Sequence, residues 1–250
     1  PYGDDAGMTH LQMALYHLDP TTSVPQVMVS AYTGGAHCCV ITSLFSQQSD
    51  GAWHETPLGE RDGDGLPRVV DAARNGTAQI ELFDQSFLYT FSSYAGSFAP
   101  PILKSFQNGD LKTVTLEKPY RPYILQTLHE DTKNWEQSGR SEPNGFLAYY
   151  VATKAELGEF SEAWRYMLAH KEKTNSTQFG ISLCDLKTSA NKHCSAEEQK
   201  VLPFPEGLAA FLEKAGYITA EQRQEVLGQA VPQKKPDEAI PQPETHPETA

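Results

Sequence analysis

The sequence predicts an α+β protein in which an antiparallel, blade-like β-meander is followed by a helical part and a disordered tail. Short apolar stretches with a two-residue period, separated by Gly, Pro and Asn, fill residues 1–118, as is typical of antiparallel strands. Apolar residues at helical spacing, with glycines at the expected helix ends, fill residues 119–230. Residues 231–250 contain five prolines and no aromatic residue, and such a segment cannot bury enough surface to offset the entropy of ordering.

The composition excludes several functional classes. The 250 residues are 39% hydrophobic, which is enough for one large or two small domains. The formal net charge of −12 argues against nucleic acid as the main partner. The longest apolar stretch, residues 146–152, is much shorter than the about 20 residues that a transmembrane helix needs. The chain begins at Pro1 without a basic and apolar leader, which favours a processed or truncated product.

The predicted strands follow one another at short intervals. They cover residues 10–18, 24–32, 40–45, 78–83, 87–94, 101–106 and 111–116. In the first, Leu11, Met13 and Leu15 share one face, which is the pattern of a half-buried strand. The dipeptide Asn75-Gly76 is a strong signal for a tight hairpin turn.

A weak internal repeat runs through this part of the chain. With a shift of 62 residues, residues 30–44 overlay residues 92–106, and each copy is predicted to form a strand, a Gly-containing loop and another strand. Repetition on this scale predicts blade-like units that bury their faces against one another. The loops differ, because the first copy has His37-Cys38-Cys39 where the second has small residues and prolines.

Five helices are predicted in the second part. They cover residues 123–135, 146–157, 161–170, 206–215 and 219–227. The break at Gly158 is short enough to make an αα-hairpin. Gly216 is a typical helix stop, and Thr219 with Gln222 has the spacing of a capping box.

The four cysteines allow three pairings. Cys184 and Cys194 flank a polar loop, and a disulfide between them would stabilise that loop in an oxidising compartment. For the adjacent Cys38 and Cys39, a mutual bond, two buried thiols and pairing elsewhere all stay open. Together with the start of the chain, the cysteines favour an exported protein, periplasmic or secreted.

Two segments carry a resemblance to a known family. Residues 62–71, DGDGLPRVVD, form an Asp-rich loop that runs straight into a strand, and residues 27–39 read VMVSAYTGGAHCC. Over about residues 10–118 the chain resembles the FG-GAP/VCBS-like repeats of exported bacterial proteins of uncharacterised type. The resemblance implies blades of the propeller type, each entered through an acidic loop. Two blades cannot close a ring, so we expect a small open sheet or a sandwich covered by the helices.

The acidic loop is a candidate calcium site. Glu60, Asp62 and Asp64 offer oxygen ligands at alternate positions, the Leu66 carbonyl could contribute, and Asp71 stands where a closing carboxylate would. A bound Ca²⁺ would be structural. A plain Asp-Gly turn is the alternative interpretation.

The candidate binding site is formed by His37, Cys38 and Cys39. Imidazole and thiolate ligands suit zinc or copper, but consecutive residues of a strand point to opposite faces and cannot easily share one ion. A cysteine beside a histidine also fits an activated thiol. The alternative is a packed loop with buried cysteines.

The sequence therefore favours an exported, non-enzymatic binding or interaction protein with FG-GAP/VCBS-like repeats, stabilised by calcium. Its partner is an unknown protein or small ligand, and no nucleic acid partner or transmembrane segment is expected. The alternative is an envelope hydrolase, or a metal- or thiol-dependent enzyme, centred on residues 34–39. A catalytic loop should line a cleft, whereas a structural loop should be buried.

Overall fold

The computed structural model describes residues 11–34, 38–63, 65–173, 178–187 and 193–228, and these residues form the predicted α+β fold. The strands are β1 (Leu11–Tyr16), β2 (Gln26–Tyr32), β3 (Cys38–Gln47), β4 (Trp53–Asp62), β5 (Arg68–Val70), β6 (Gln79–Phe83), β7 (Pro101–Gln107) and β8 (Asp110–Thr113). The helices are α1 (Arg121–Gln137), α2 (Pro143–Glu156), α3 (Phe160–His170), α4 (Leu183–Leu186), α5 (Phe204–Ala215) and α6 (Ala220–Gly228). The predicted disordered tail, residues 231–250, lies outside the described residues. Within the described ranges, none of the helices combines the length and apolar character needed to span a bilayer.

The chain divides into two compact units. The β unit, residues 1–85 and 101–122, contains all eight described strands, and the helical unit contains residues 86–100 and the chain from residue 123. Residues 86–100, which the sequence analysis counted with the strands, group with the helical unit.

The β unit contains two four-stranded antiparallel sheets, ordered β1-β2-β3-β4 and β5-β6-β7-β8. In each sheet, strands adjacent in sequence pair directly, so both sheets are simple meanders. The shift of 62 residues that relates the repeat superimposes β3 on β7, the third strand of each sheet. The two sheets share one buried cluster, made of Leu18, Met28, Leu44, Ile80 and Phe106.

A buried glutamine begins the second strand of each sheet and shows that the sheets are built alike. The side-chain oxygen of Gln26 accepts the backbone N–H groups of Leu18 (2.8 Å) and Asp19 (3.1 Å), and its amide donates to the Val24 carbonyl. Gln79 accepts the N–H of Ala72 at 3.0 Å and donates in the same way to the carbonyl two residues before it. Each glutamine thereby satisfies backbone groups of the loop that precedes its strand.

The predicted strand over residues 87–94 is wrong. The chain there forms two 3-10 turns, Gln85–Phe87 and Tyr94–Gly96. Phe87 and Phe91 are buried because both pack edge-to-face against Phe211 of α5. The spacing of four residues between these two rings thus reflects contacts with a helix rather than one face of a sheet.

Strand β4 was not predicted. Most of its residues are exposed, and it contains Pro57 and Gly59. Proline is tolerated at sheet edges, and β4 ends the strand order of the first sheet.

Helix α2 forms the centre of the helical unit, because residues 144–153 are all buried. Trp135 of α1 stacks on Phe146 with ring centroids 4.1 Å apart, and the Tyr149 hydroxyl donates to Asp131 at 2.8 Å. The predicted hairpin at Gly158 is present between α2 and α3, and Gly216 ends α5 in a left-handed conformation with φ of +85°.

The predicted capping box at the start of α6 is confirmed. The N–H of Thr219 donates to Gln222 Oε1 at 2.8 Å, and the N–H of Gln222 donates to Thr219 Oγ1 at 3.3 Å. These two bonds satisfy amide groups that a helix start leaves free.

Residues 86–100 are fixed to the start of α2 by a carboxylate. Glu142 accepts both the N–H (2.6 Å) and the hydroxyl (2.7 Å) of Ser93. At this contact Gly145 faces Ser92 and the carbonyl of Gly96 so closely that a Cβ on Gly145 would lie 2.7 Å from the Ser92 Cβ. Only glycine therefore fits at position 145.

Candidate functional site

The two adjacent cysteines start β3 and are bonded to each other. Cys38 is exposed and Cys39 is buried as residues, and because their sulfurs are bonded to each other, the two side chains do not point to opposite faces of the strand here. Of the alternatives that the sequence left open, the structure selects the mutual bond. His37, the third predicted member of this site, lies outside the described residues.

Thr33 holds the Cys39 backbone in place. Its N–H and its hydroxyl both lie 2.9 Å from the Cys39 carbonyl oxygen, and the Cys39 N–H lies 3.1 Å from the Thr33 hydroxyl. The threonine therefore binds both polar groups of one residue. The sequence carried no signal for this role.

Glu60 lies beside the cysteine pair. Strand pairing sets Cys38 opposite Asp62 on β4, and Glu60 Oε1 lies 3.9 Å from Cys38 Sγ. The ligand atoms of Cys38, Cys39 and Glu60 all lie within 4.8 Å of one another. We call these three residues the cysteine corner. The structure thus joins one residue predicted for the calcium site to two predicted for the binding site.

Gln85 fixes this end of β4. Its side-chain oxygen accepts the N–H of Asp62 at 2.5 Å, and its amide donates to the Glu60 carbonyl at 2.9 Å. The backbone between the Glu60 carbonyl and the Asp62 N–H is therefore anchored. Sequence reasoning missed Gln85, since it is 25 residues from Glu60 and belongs to no motif.

The predicted calcium ligands do not all lie in a loop. Glu60 and Asp62 belong to β4, where Glu60 is exposed and Asp62 is buried. Oδ1 of Asp62 has no hydrogen-bond partner among the described residues. Asp64 lies outside the described residues.

Asp71 and Leu66, the two remaining residues predicted to bind calcium, have hydrogen-bond partners within the protein. The Asp71 carboxylate accepts the N–H groups of Asn75 (3.0 Å) and Gly76 (2.8 Å), and so fixes the turn between β5 and β6. The N–H of Leu66 lies 3.2 Å from the side-chain oxygen of Gln12. Calcium binding stays a prediction, and it is tested by whether millimolar Ca²⁺ raises the melting temperature and a chelator reverses the change.

The structure bonds Cys184 to Cys194, the pairing that the sequence favoured. Cys184 lies in the short helix α4, which Ser182 and Asp185 cap reciprocally. The backbone N–H of Cys184 also donates to the Glu198 carbonyl at 2.9 Å. The bond therefore joins α4 to the segment around residue 194.

The outer face of the first sheet is apolar and exposed. Strand pairing places three rows of side chains across β1, β2 and β3 on this face: Leu11, Ala31 and Ile41; Met13, Val29 and Ser43; Leu15, Val27 and Phe45. The β1 members are 68%, 70% and 64% exposed, in row order. The sequence predicted that they would be half-buried, and this is wrong, because no described part of the chain covers them.

The aromatic residues of the α2–α3 hairpin form packing rather than a cleft. Tyr150 and Tyr166 contact each other, and Tyr166 stacks on His170 with centroids 3.9 Å apart. Burial raises the pKa of both tyrosines above the ordinary value of 10.0. Lys154, 5.9 Å from the Tyr150 ring, pairs with Glu159 at 2.5 Å.

Comparison with known proteins places the chain beside uncharacterised relatives. A family model described as "sll0997 C-terminal domain" matches residues 124–216, which lie in the helical unit. The "Probable thylakoid lumen protein sll0997" of Synechocystis sp. is 34% identical over 222 residues, covering 88% of this chain and 64% of that protein. The "Uncharacterized protein y4bJ" of Sinorhizobium fredii is 29% identical over 222 residues, covering 87% of this chain and 33% of that protein.

The chain therefore spans less than two thirds of the first of these relatives and one third of the second. No solved structure matches the chain.

Proposed function

We propose that this chain acts in an exported, non-enzymatic interaction protein, which binds another protein through the outer face of its first sheet. The observation that carries the proposal is the exposure of three large apolar side chains on one edge strand, β1. The partner supplies an extended apolar segment that pairs with β1 and places alternate apolar side chains beside Leu11, Met13 and Leu15 on this face.

The size of the apolar face supports a binding role. Single exposed apolar residues are common on protein surfaces, but contiguous apolar patches larger than a few hundred Å² mark interaction sites. Here the exposed side chains of β1 continue into partly exposed Val27, Val29 and Ala31 on β2, and into Ile41 on β3. Burying one leucine or methionine side chain contributes roughly 1.5–3 kcal/mol.

The two edges of the first sheet differ, and the difference favours addition of a strand at β1. Natural sheets protect their edges with charges, prolines or bulges. Strand β1 reads LQMALY and has none of these residues, whereas the opposite edge, β4, carries Pro57 and several charged residues. An extended partner segment would bond to the β1 backbone and place alternate side chains on the apolar face.

Export is supported by the cysteines and by a relative. All four cysteines lie in the described residues and are bonded in two pairs, which is typical of oxidising compartments. The relative from Synechocystis is named a probable thylakoid lumen protein. We therefore propose a periplasmic or lumenal location.

The FG-GAP/VCBS-like interpretation belongs to this proposal as well. Propeller blades are four-stranded antiparallel meanders, and both sheets of the β unit have that order. Blades in such proteins use their faces to pack against further sheets, which agrees with an apolar outer face on the first sheet.

Site-specific photo-crosslinking in the native cell tests the interaction. A photoreactive phenylalanine analogue replaces Met13 in one variant and Leu116 in a matched control, since these residues are 70% and 71% exposed and both lie in the β unit. We expect position 13, but not position 116, to give a crosslink that maps to an apolar extended segment of another protein. Equal crosslinking at both positions, no product at position 13, or a product only with a second copy of this chain would overturn the proposal.

A charge substitution gives a second readout. Leu15→Glu should abolish the crosslink from position 13 and leave the melting temperature of the isolated chain nearly unchanged, because Leu15 is already exposed. A crosslink that survives this change would contradict binding at the outer face.

A further inference from the structure

We infer that the cysteine corner becomes a binding site for a thiophilic divalent metal ion when the Cys38–Cys39 bond is reduced. Glu60 is the third protein ligand. The bonded form does not bind the metal, so metal binding requires reduction first. This inference goes beyond the proposed interaction and does not depend on it.

The donor atoms lie close enough together to converge on one ion after reduction. Zinc bonds thiolate sulfur at about 2.3 Å and carboxylate oxygen at about 2.0–2.2 Å, so two ligands of one ion lie within roughly 4.6 Å of each other. The ligand atoms of Cys38, Cys39 and Glu60 lie within 4.8 Å of one another. The two sulfurs are bonded to each other here and must separate on reduction, after which we expect side-chain rotation to bring the three atoms around one ion.

The chemistry of the donors selects a soft or borderline metal. Thiolates favour ions such as Zn²⁺ and Cd²⁺ over Ca²⁺ and Mg²⁺, which prefer oxygen ligands only. Two thiolates and one carboxylate leave a fourth tetrahedral position open to water or to an external ligand. The exposed side chains of Cys38 and Glu60 give the ion a direct path from solvent.

The reaction balances with a phosphine or a dithiol as the reductant. A dithiol transfers two electrons and two protons to the Cys38–Cys39 bond, which breaks to give two thiols, while the dithiol closes into its own disulfide. A phosphine takes up the oxygen of a water molecule instead, and the two hydrogens of that water end on the two thiols. Metal binding then releases both thiol protons.

The frame of the site does not depend on the sulfur–sulfur bond. Thr33 holds the Cys39 peptide, and Gln85 holds the Glu60 carbonyl and the Asp62 N–H, the backbone that directly follows Glu60. The pairing of β3 with β4 fixes Cys38 opposite Asp62. We therefore expect reduction to free the two sulfurs while their backbone stays in place.

The second cysteine pair provides an internal comparison. In the part of the chain that the structure describes, Cys184 and Cys194 do not belong to a group of three potential metal ligands. A metal ion that required only two thiols would bind at either pair, whereas the proposed site requires Cys38, Cys39 and Glu60 together.

Cadmium titration of the full chain tests the inference. Binding is followed by the thiolate-to-cadmium charge-transfer absorption and by native mass spectrometry, with a phosphine as reductant because it does not add competing thiols. We expect one Cd²⁺ per reduced chain and none per oxidised chain. We expect Cys38→Ser combined with Cys39→Ser to abolish binding.

The carboxylate is tested with a matched pair of variants. Glu60→Gln should weaken Cd²⁺ binding by about tenfold or more, as expected for loss of a ligand. Glu55→Gln, on the same strand and also exposed, should leave the affinity unchanged. Circular dichroism spectra verify that each variant is folded.

Three results would overturn the inference. They are equal binding by oxidised and reduced chain, binding that survives loss of Cys38 and Cys39, and equal affinity of the Glu60→Gln and Glu55→Gln variants. The second result would assign the metal to Cys184 and Cys194, and the third would leave a two-thiol site without a carboxylate ligand.

Discussion

Replacing Gln26 by methionine should destabilise the β unit more than the same replacement of Gln79. Both side chains are buried at the start of the second strand of their sheet, and methionine has a similar length but cannot bond the backbone. The two sites therefore differ mainly in the number of backbone groups that lose a partner.

The magnitude follows from that number. Gln26 accepts two buried N–H groups, those of Leu18 and Asp19, whereas Gln79 accepts one, that of Ala72. Leaving a buried donor unpaired costs about 1–3 kcal/mol. We expect losses of about 2–6 kcal/mol for Gln26→Met and about 1–3 kcal/mol for Gln79→Met. Each glutamine also donates to one partly buried carbonyl, and these contributions cancel in the comparison.

Hydrogen exchange measures the effect on the β unit alone. The free energy of opening is obtained for β2 and β6 amides at increasing urea, read by mass spectrometry, so that the helical unit does not contribute to the signal. Gln47→Met is the control, because Gln47 is exposed at the end of β3 and its amide contacts only the exposed carbonyl of Gly51. In this control the free energy of opening should change by less than about 0.5 kcal/mol.

A loss of free energy for Gln26→Met no larger than that for Gln79→Met, or a loss for either variant no larger than that for Gln47→Met, would contradict this expectation. Equal and large losses would mean that burial of the side chain, and not the count of backbone partners, determines its contribution.

Three further predictions concern the helical unit. Gly145→Ala should destabilise it by about 3 kcal/mol, because the added methyl group meets Ser92 and a carbonyl, whereas Gly228→Ala, with open space around it, should change the urea midpoint little. Burial raises the pKa of the Tyr150 hydroxyl. Tyr150 therefore stabilises the folded state fully while the pH is below the unfolded-state pKa of 10.0, and this stabilisation is lost as the pH rises above that pKa. Tyr150→Phe should therefore reduce the loss of stability above about pH 10 in unfolding measured by circular dichroism, and an unchanged pH profile would contradict this. Cys184→Ser with Cys194→Ser should lower the free energy of unfolding by about 2–3 kcal/mol, because the bond restricts the unfolded chain, and an unchanged free energy of unfolding would contradict this.

Local pattern predicted most elements of the fold, but it did not predict which surfaces are covered. The alternation of Leu11, Met13 and Leu15 correctly indicated a strand with one apolar face. Whether that face is buried depends on what lies opposite, and no periodicity in β1 contains that information. The alternation of Phe87, Tyr89 and Phe91 wrongly indicated a strand for the same reason. Two of these rings pack on a helix that is distant in sequence.

The candidate site was predictable only in parts. The sequence singled out Cys38 and Cys39 by their adjacency, and Glu60 by its place in an acidic run. Their meeting depends on the register between β3 and β4, including an irregularity between Cys38 and Val40. Strand β4 is polar and contains a proline, so its pairing partner could not be inferred from hydrophobic pattern.

Thiol trapping on the native, unreduced protein, followed by peptide mass mapping, tests the central claim of an exported protein with both cysteine pairs closed. We expect no trapped thiol without reductant, one bridge between Cys184 and Cys194, and one within the peptide that contains Cys38 and Cys39. A free thiol at any of the four positions in protein taken from its native compartment would contradict the account.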